Sequence, residues 1–288
     1  MLERSPFHDG AAKGLGGMVI SDRIADFIVG FDLGTAPEAL VGLAEEAFVD
    51  TIGVMLAGSR EPASRIAAEM VLEGKTGAGA AVVGHSIKTA VRDAAFVNGA
   101  STQALDYDLS FMSGQSTAPL IPGLLPLAQV LGPGPKSLIS AYVVGAEVCA
   151  RLVLACPGLS TNAGWHGAGV FGTLAAAAAF ARLSGLARDR IPDAIGISAS
   201  MAGGLGVNFG TMTKPLHTGN AARNGLVAVD LAARGFTASA VALEGRNGFF
   251  QSFARGHDID PACFDDFGSR YYLADPGNKI KPYACGGV

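Results

Sequence analysis

Charge is sparse in this chain of 288 residues: 16% are Asp, Glu, Lys or Arg, and the signs nearly cancel to a net charge of −4. With a pI near 5.7 and no basic run, there is no nucleic-acid footprint, which needs Lys and Arg clustered on one face. Any site for an acidic ligand must be local, built from a few placed cations. Cysteine is scarce as well. Cys149, Cys156, Cys263 and Cys285 form no CxxC pair and no metal-ligand spacing, so they read as reduced thiols of a cytoplasmic protein without a signal peptide. The apolar runs Leu138–Val144 and Ala175–Phe180 are too short to span a bilayer. P-loop, GxGxxG with a ribose-binding acid, and HExxH are all missing, which disfavours nucleotide and zinc enzymes; no cofactor and no metal are expected.

What the chain has is apolar and small: 49% hydrophobic residues and 40 glycines, with long alanine runs. That composition supports a sizeable core in which small residues let helices approach closely. Met1–Met18 read as a flexible, polar, Gly-rich leader. Helical patterns follow from Ile20, then over Ala36–Ser59, Pro62–Glu73, Lys88–Leu105, Pro119–Leu131, Leu138–Ala155, Gly169–Ser184, Asp189–Ala202 and Lys214–Arg234. Pro37 fits a first turn, Ser137 an N-cap, and Gly185 and Gly235 fit helix C-termini. Leu40, Leu43, Ala44, Ala47, Phe48, Thr51 and Met55 share one face of the second helix, and Ala81-Val82-Val83 is a candidate strand. Helix and strand do not alternate, so a doubly wound sheet is excluded in favour of a mainly α fold. The texture changes after Gly256, which suggests a helical domain over 19–266 and another unit starting at 267–288.

Four segments carry polar chemistry. Asp106-Tyr107-Asp108, followed by Ser110 and Gln115, ends an apolar helix; the acids can orient a base, bind a polar substrate or simply end the helix. Gly164-Trp165-His166-Gly167 places a histidine before an Ala-rich helix, where it can move protons near neutral pH or be held as a structural ring. Lys214, His217 and Arg223 crowd cations at a helix start, with Lys214 and His217 one turn apart, an arrangement suited to a carboxylate. Lys281-Pro282-Tyr283-Ala284-Cys285 is a turn whose residues say little alone.

Together these segments resemble the MmgE/PrpD family, through Phe48-Val49-Asp50-Thr51-Ile52-Gly53, Asn98-Gly99-Ala100, Asp106-Tyr107-Asp108, Gly164-Trp165-His166, Thr213-Lys214-Pro215-Leu216-His217 with Asn220-Ala221-Ala222, and Lys281-Pro282-Tyr283-Ala284-Cys285. The resemblance implies a homodimer of two-domain subunits: a large helical domain carrying most of the active site and a smaller α/β lid, of which only the start falls within these residues. It implies a cofactor-independent lyase that removes a proton α to a carboxylate of a small di- or tricarboxylic acid. A 2-methylcitrate-dehydratase-like activity ranks first, with an iminodisuccinate-like epimerase or a catalytically inactive acid-binding relative as alternatives. Asp106, His166, Lys214 and His217 match pocket positions and are expected to be catalytic, Asp106 orienting a histidine. Ser110, Gln115, Arg223, Lys281 and Tyr283 are expected to bind substrate. Gln115 departs from a histidine the family often carries there, and an amide cannot exchange a proton near neutrality.

Overall fold

The computed structural model describes residues 19–73, 79–112, 115–159, 164–254 and 257–285. The expected leader, Met1–Met18, lies outside them. The fold is mainly α: α1 (Ile20–Gly30), α2 (Ala39–Gly58), α3 (Pro62–Leu72), α4 (Val91–Gln103), α5 (Thr117–Leu131), α6 (Pro135–Ala155), α7 (Gly167–Ser184), α8 (Ile191–Met201), α9 (Thr213–Ala233) and the short α10 (Phe249–Ala254). The two-residue strands β1 (Ala80–Ala81) and β2 (Lys88–Thr89) pair antiparallel.

Helix α7 is the hub. It is buried along one continuous stretch, Gly167 to Ala181, and packs against α5, α6, α8 and α9. A helix apolar all round is a core helix, and its alanines explain how four neighbours fit about it. Helices α6 and α7 are long and apolar enough to cross a membrane, so the short runs Leu138–Val144 and Ala175–Phe180 understated them. In both, 83% of the apolar window is buried within the fold, so their hydrophobicity is spent on packing. The α4–α9 crossing, which brings the candidate site together, is as close as backbones allow: a Cβ on Gly99 would stand 2.7 Å from Gly219 Cα.

Several boundaries moved for physical reasons. Lys88 and Thr89 join β2 instead of opening a helix, because the turn at Gly84 (φ 77°) folds the chain back onto Ala80–Ala81; Val83 therefore lies in the turn rather than the strand. Helix α6 starts at Pro135 behind Gly134, so Ser137 sits inside the first turn and makes no cap bond. Gly185 (φ 62°) and Gly235 (φ 90°) do adopt the left-handed conformation at helix ends. The predicted face of α2 is buried at Leu40, Ala44, Ala47, Thr51 and Met55, with Leu43 and Phe48 packed against the core.

Residues 257–285 contain only short helical turns, and they lie on the helical body. Phe264 and Leu273 belong to the main core, Phe267 stacks on Phe27 of α1 at 4.3 Å, and Tyr271 meets Phe31 edge-on at 6.0 Å.

Candidate active site

Just beyond α4 the chain turns sharply. Asp106 adopts φ 50°, a left-handed conformation that Asp tolerates, and its N–H donates to Gln103 O at 3.1 Å. The turn aims the Asp106 carboxylate at two lysines from distant elements. Lys214, in the first turn of α9, places Nζ 2.6 Å from Oδ2; Lys281 places Nζ 2.7 Å from Oδ1 and 3.1 Å from the Asp106 carbonyl. Burial works to raise the Asp106 carboxyl, but hydrogen bonds and charge from both lysines outweigh it and hold the group below the usual range.

Asp108 stands behind Lys281. Its carboxyl is fully buried, Oδ1 lies 3.5 Å from Lys281 Nζ, and Oδ2 has no hydrogen-bond partner among the described residues. Burial pushes it up to about 6 against the pull of Lys281. The Lys281 ammonium is itself only 5% exposed; burial opposes its charge, while Asp108 and Asp106 more than compensate and raise it.

Beside this cluster two imidazoles touch. His166 immediately precedes α7 and its main-chain N–H donates to Gly204 O at 2.9 Å; His217 sits one turn into α9. Their Nδ1 atoms are 3.0 Å apart. Burial, then His217 and Lys214, depress His166 to about 3, and burial with Lys214 lowers His217. Both rings are therefore neutral at neutral pH, and a hydrogen bond between like nitrogens forces unlike tautomers. The ring that donates from Nδ1 keeps a basic Nε2; the ring that accepts keeps an Nε2–H. One pair thus offers a proton acceptor and a donor. Phe209 joins the two halves of the site: His166 meets its edge at 5.0 Å and Lys214 Nζ lies 5.6 Å from its centroid.

The structure thus brings Asp106, His166, Lys214, His217 and Lys281 into one neighbourhood. The expectation that Asp106 orients a histidine is corrected: among the described residues its side chain bonds the two lysines, because ammonium donors outcompete a neutral imidazole, and the histidines orient each other. Ser110 contributes main-chain bonds to Lys279 (2.9 and 2.8 Å). Gln115, left-handed at φ 51°, accepts from Gln103 Nε2 through its amide oxygen. Arg223 is not brought in: it is exposed over the Phe96 ring, half a turn round and about 13 Å along α9 from Lys214. Tyr283 is 64% exposed at the rim. Asp108 as a partner of Lys281 was missed, although the two-acid pattern could have signalled it; Phe209 gave no signal. Among the described residues no group of three His, Cys, Asp or Glu is arranged to hold a metal. A cavity of 1260 Å³ beside Met201, Phe236 and Phe249 has Arg246 in its lining but no His, Lys, Asp or Glu among the described residues, so it offers a cation without a proton carrier.

Residues 22–262 match the MmgE/PrpD N-terminal domain. Human cis-aconitate decarboxylase is 29% identical over 263 residues, 89% of this chain and 54% of the relative. The cis-aconitate decarboxylase of Aspergillus terreus is 31% identical over 271 residues, covering 88% and 54%, and the cis-aconitate decarboxylase-like protein oryM of Aspergillus oryzae is 32% identical over 237 residues, covering 78% and 49%. The chain spans about half the length of these curated relatives. With that match over most of its length, the chain belongs to the MmgE/PrpD family.

Proposed function

We propose that this chain carries the carboxylate-binding and proton-transfer groups of a cofactor-independent lyase acting on a small di- or tricarboxylic acid. The observation that carries the reading is the convergence of Lys214 and Lys281 on Asp106 beside the neutral His166–His217 pair. A proton α to a carboxylate is weakly acidic, and its removal builds negative charge on the carboxylate oxygens. Placed ammonium groups stabilise that charge where it develops, provided they are fixed beforehand. Asp106 fixes them. A neutral imidazole with a free Nε2 takes the proton, and its partner's Nε2–H returns one to the leaving group or to carbon.

Two outcomes share this opening: loss of hydroxide leaves an alkene, and reprotonation on the opposite face gives an epimer. Loss of carbon dioxide starts without removing a proton: the C–C bond breaks, its electron pair stays on the substrate carbon, and the imidazole Nε2–H supplies the proton that quenches it. Decarboxylation of a cis-aconitate-like acid ranks first, because the relatives that match bear that name. Dehydration of a methylcitrate-like hydroxy acid follows. Epimerisation of an iminodisuccinate-like acid is supported by Gln115, which leaves the histidine pair as the proton carriers. A homodimer in the cytoplasm, with no nucleic-acid or membrane partner, completes the reading on family likeness and composition.

The test is incubation of the full-length protein with cis-aconitate, methylcitrate and iminodisuccinate in deuterated water. Carbon dioxide release, water loss, or deuterium in recovered substrate identifies the branch, and Lys214→Met abolishes it. Absence of all three with every acid would leave a carboxylate-binding protein and defeat the enzyme.

A further inference from the structure

We propose that Glu147 and Arg151 of α6 are positioning residues for Lys281: they dock residues 263–281 in one register, and only in that register does Lys281 reach Asp106. The proposal rests on the reading above that Lys281 serves the site.

The Arg151 side chain is 0% exposed in the middle of an apolar helix. Its guanidinium lies between the rings of Phe267 (4.9 Å) and Tyr272 (5.0 Å). It donates to the main-chain carbonyls of Cys263 (2.7 Å), Asp266 (3.2 Å) and Arg270 (3.1 Å), and pairs with the Asp266 carboxylate. One turn earlier Glu147 Oε1 accepts from Leu273 N–H at 2.9 Å, and earlier still the Tyr142 hydroxyl meets Asn278 Nδ2 at 3.2 Å. Glu147 and Arg151, one turn apart on one face of α6, thus bind successive stations of the segment in antiparallel order, and Tyr142, nearer the start of the helix, binds a further one. The main-chain pairing of Lys279 with Ser110 follows, and then Lys281 on Asp106.

An apolar residue in place of Arg151 would fill the same space, and buried ion pairs are weak contributors to stability. What a planar fork of donors adds is recognition of particular carbonyls, which fixes register. Slippage by one residue moves an extended chain by about 3.3 Å, more than a hydrogen bond can follow, and would carry Lys281 off Asp106.

The test uses the full-length protein and its Arg151→Met, Lys281→Met and doubly substituted variants. Amide exchange is followed over residues 263–281, labelling of Lys281 is followed by reductive methylation, and Kd is measured for cis-aconitate. In Arg151→Met, exchange and Lys281 labelling rise about tenfold while α7 and α9 stay protected. Arg151→Met weakens cis-aconitate binding as Lys281→Met does, and the double variant binds no more weakly than Lys281→Met alone. Additive losses, or unchanged exchange and labelling, overturn the proposal. If the wild-type protein ignores cis-aconitate, the substrate reading fails and exchange with labelling still decides the docking. Should Arg151→Met not fold, Tyr272→Leu, which removes one face of the guanidinium sandwich and leaves the charge paired, is read in the same way.

Discussion

His166 and His217 face each other through like atoms, Nδ1 to Nδ1 at 3.0 Å, with both side chains buried. Burial comes first among the causes, with His217 and Lys214 adding to it and Asp106 opposing, and His166 is pressed down to about 3. A histidine whose folded value is depressed lends stability above its ordinary value, and that contribution drains away as pH falls from 6.5 toward about 3. Nitrogen-15 spectra at neutral pH should show one ring protonated at Nδ1 and the other at Nε2, with His166 still neutral at about pH 5. Titration of His166 near its ordinary value would refute the pair.

The room for this contact comes from Gly204. Its φ is 146°, and a Cβ built there would stand 3.0 Å from His217 Cγ and 3.1 Å from Nδ1. Gly204→Ala therefore strains the backbone and pushes the ring away, at a cost of about 1–3 kcal/mol. The expected outcome is a lower Tm together with loss of the scalar coupling across the N–H···N bond. A stable variant that keeps the coupling would show that the glycine is incidental.

Asp106 holds two cations, so removing its charge should harm more than its exposed edge suggests. Asp106→Asn leaves Lys281, 5% exposed, with Asp108 alone at 3.5 Å. Stripping a buried charge of its partner costs about 3 kcal/mol, whereas removing both partners costs much less. Denaturant unfolding of Asp106→Asn, Lys281→Met and the double variant measures this directly. The double variant should recover stability over Asp106→Asn; a purely additive loss would mean the ammonium is solvated.

How far the sequence foretold this arrangement depends on how local each signal is. Helical periodicity and the glycine stops at Gly185 and Gly235 are set within a few residues, and those elements stand where expected. Lys214 and His217 share a helix turn, so their common direction was legible. The partner of Asp106 was not. Whether a carboxylate meets an imidazole or an ammonium depends on how α4, α9 and the 279–281 segment pack, and no spacing encodes that. Arg223 shows the converse: close in sequence to Lys214, it turns to the other side of α9 because residues nine apart on a helix lie half a turn round from each other. Arg151 drew no notice in an apolar run, because its ligands are main-chain carbonyls far along the chain.

Glu147 makes the docked segment sensitive to pH. Burial raises its carboxyl to about 7, with Asp266 adding to the effect and the Leu273 and Tyr272 amides and Arg151 opposing it; the Tyr271 phenol faces it as well. The ordinary value is 4.5. A docked carboxyl that holds its proton more tightly than an exposed one favours docking on the acid side, and that advantage is lost as pH rises from 4.5 toward about 7. The full difference is on the order of 3 kcal/mol, since each pKa unit is worth about 1.4 kcal/mol. Asp108, also raised by burial, contributes in the same direction, so wild-type behaviour alone would not separate the two. Glu147→Gln keeps the acceptor for Leu273 N–H and removes the titration. Amide exchange over 263–281, corrected for intrinsic rates, should quicken between about pH 5 and about pH 7 in the wild-type protein and do so less steeply in Glu147→Gln. Identical slopes would assign the sensitivity to Asp108 and leave Glu147 as a plain hydrogen-bond acceptor.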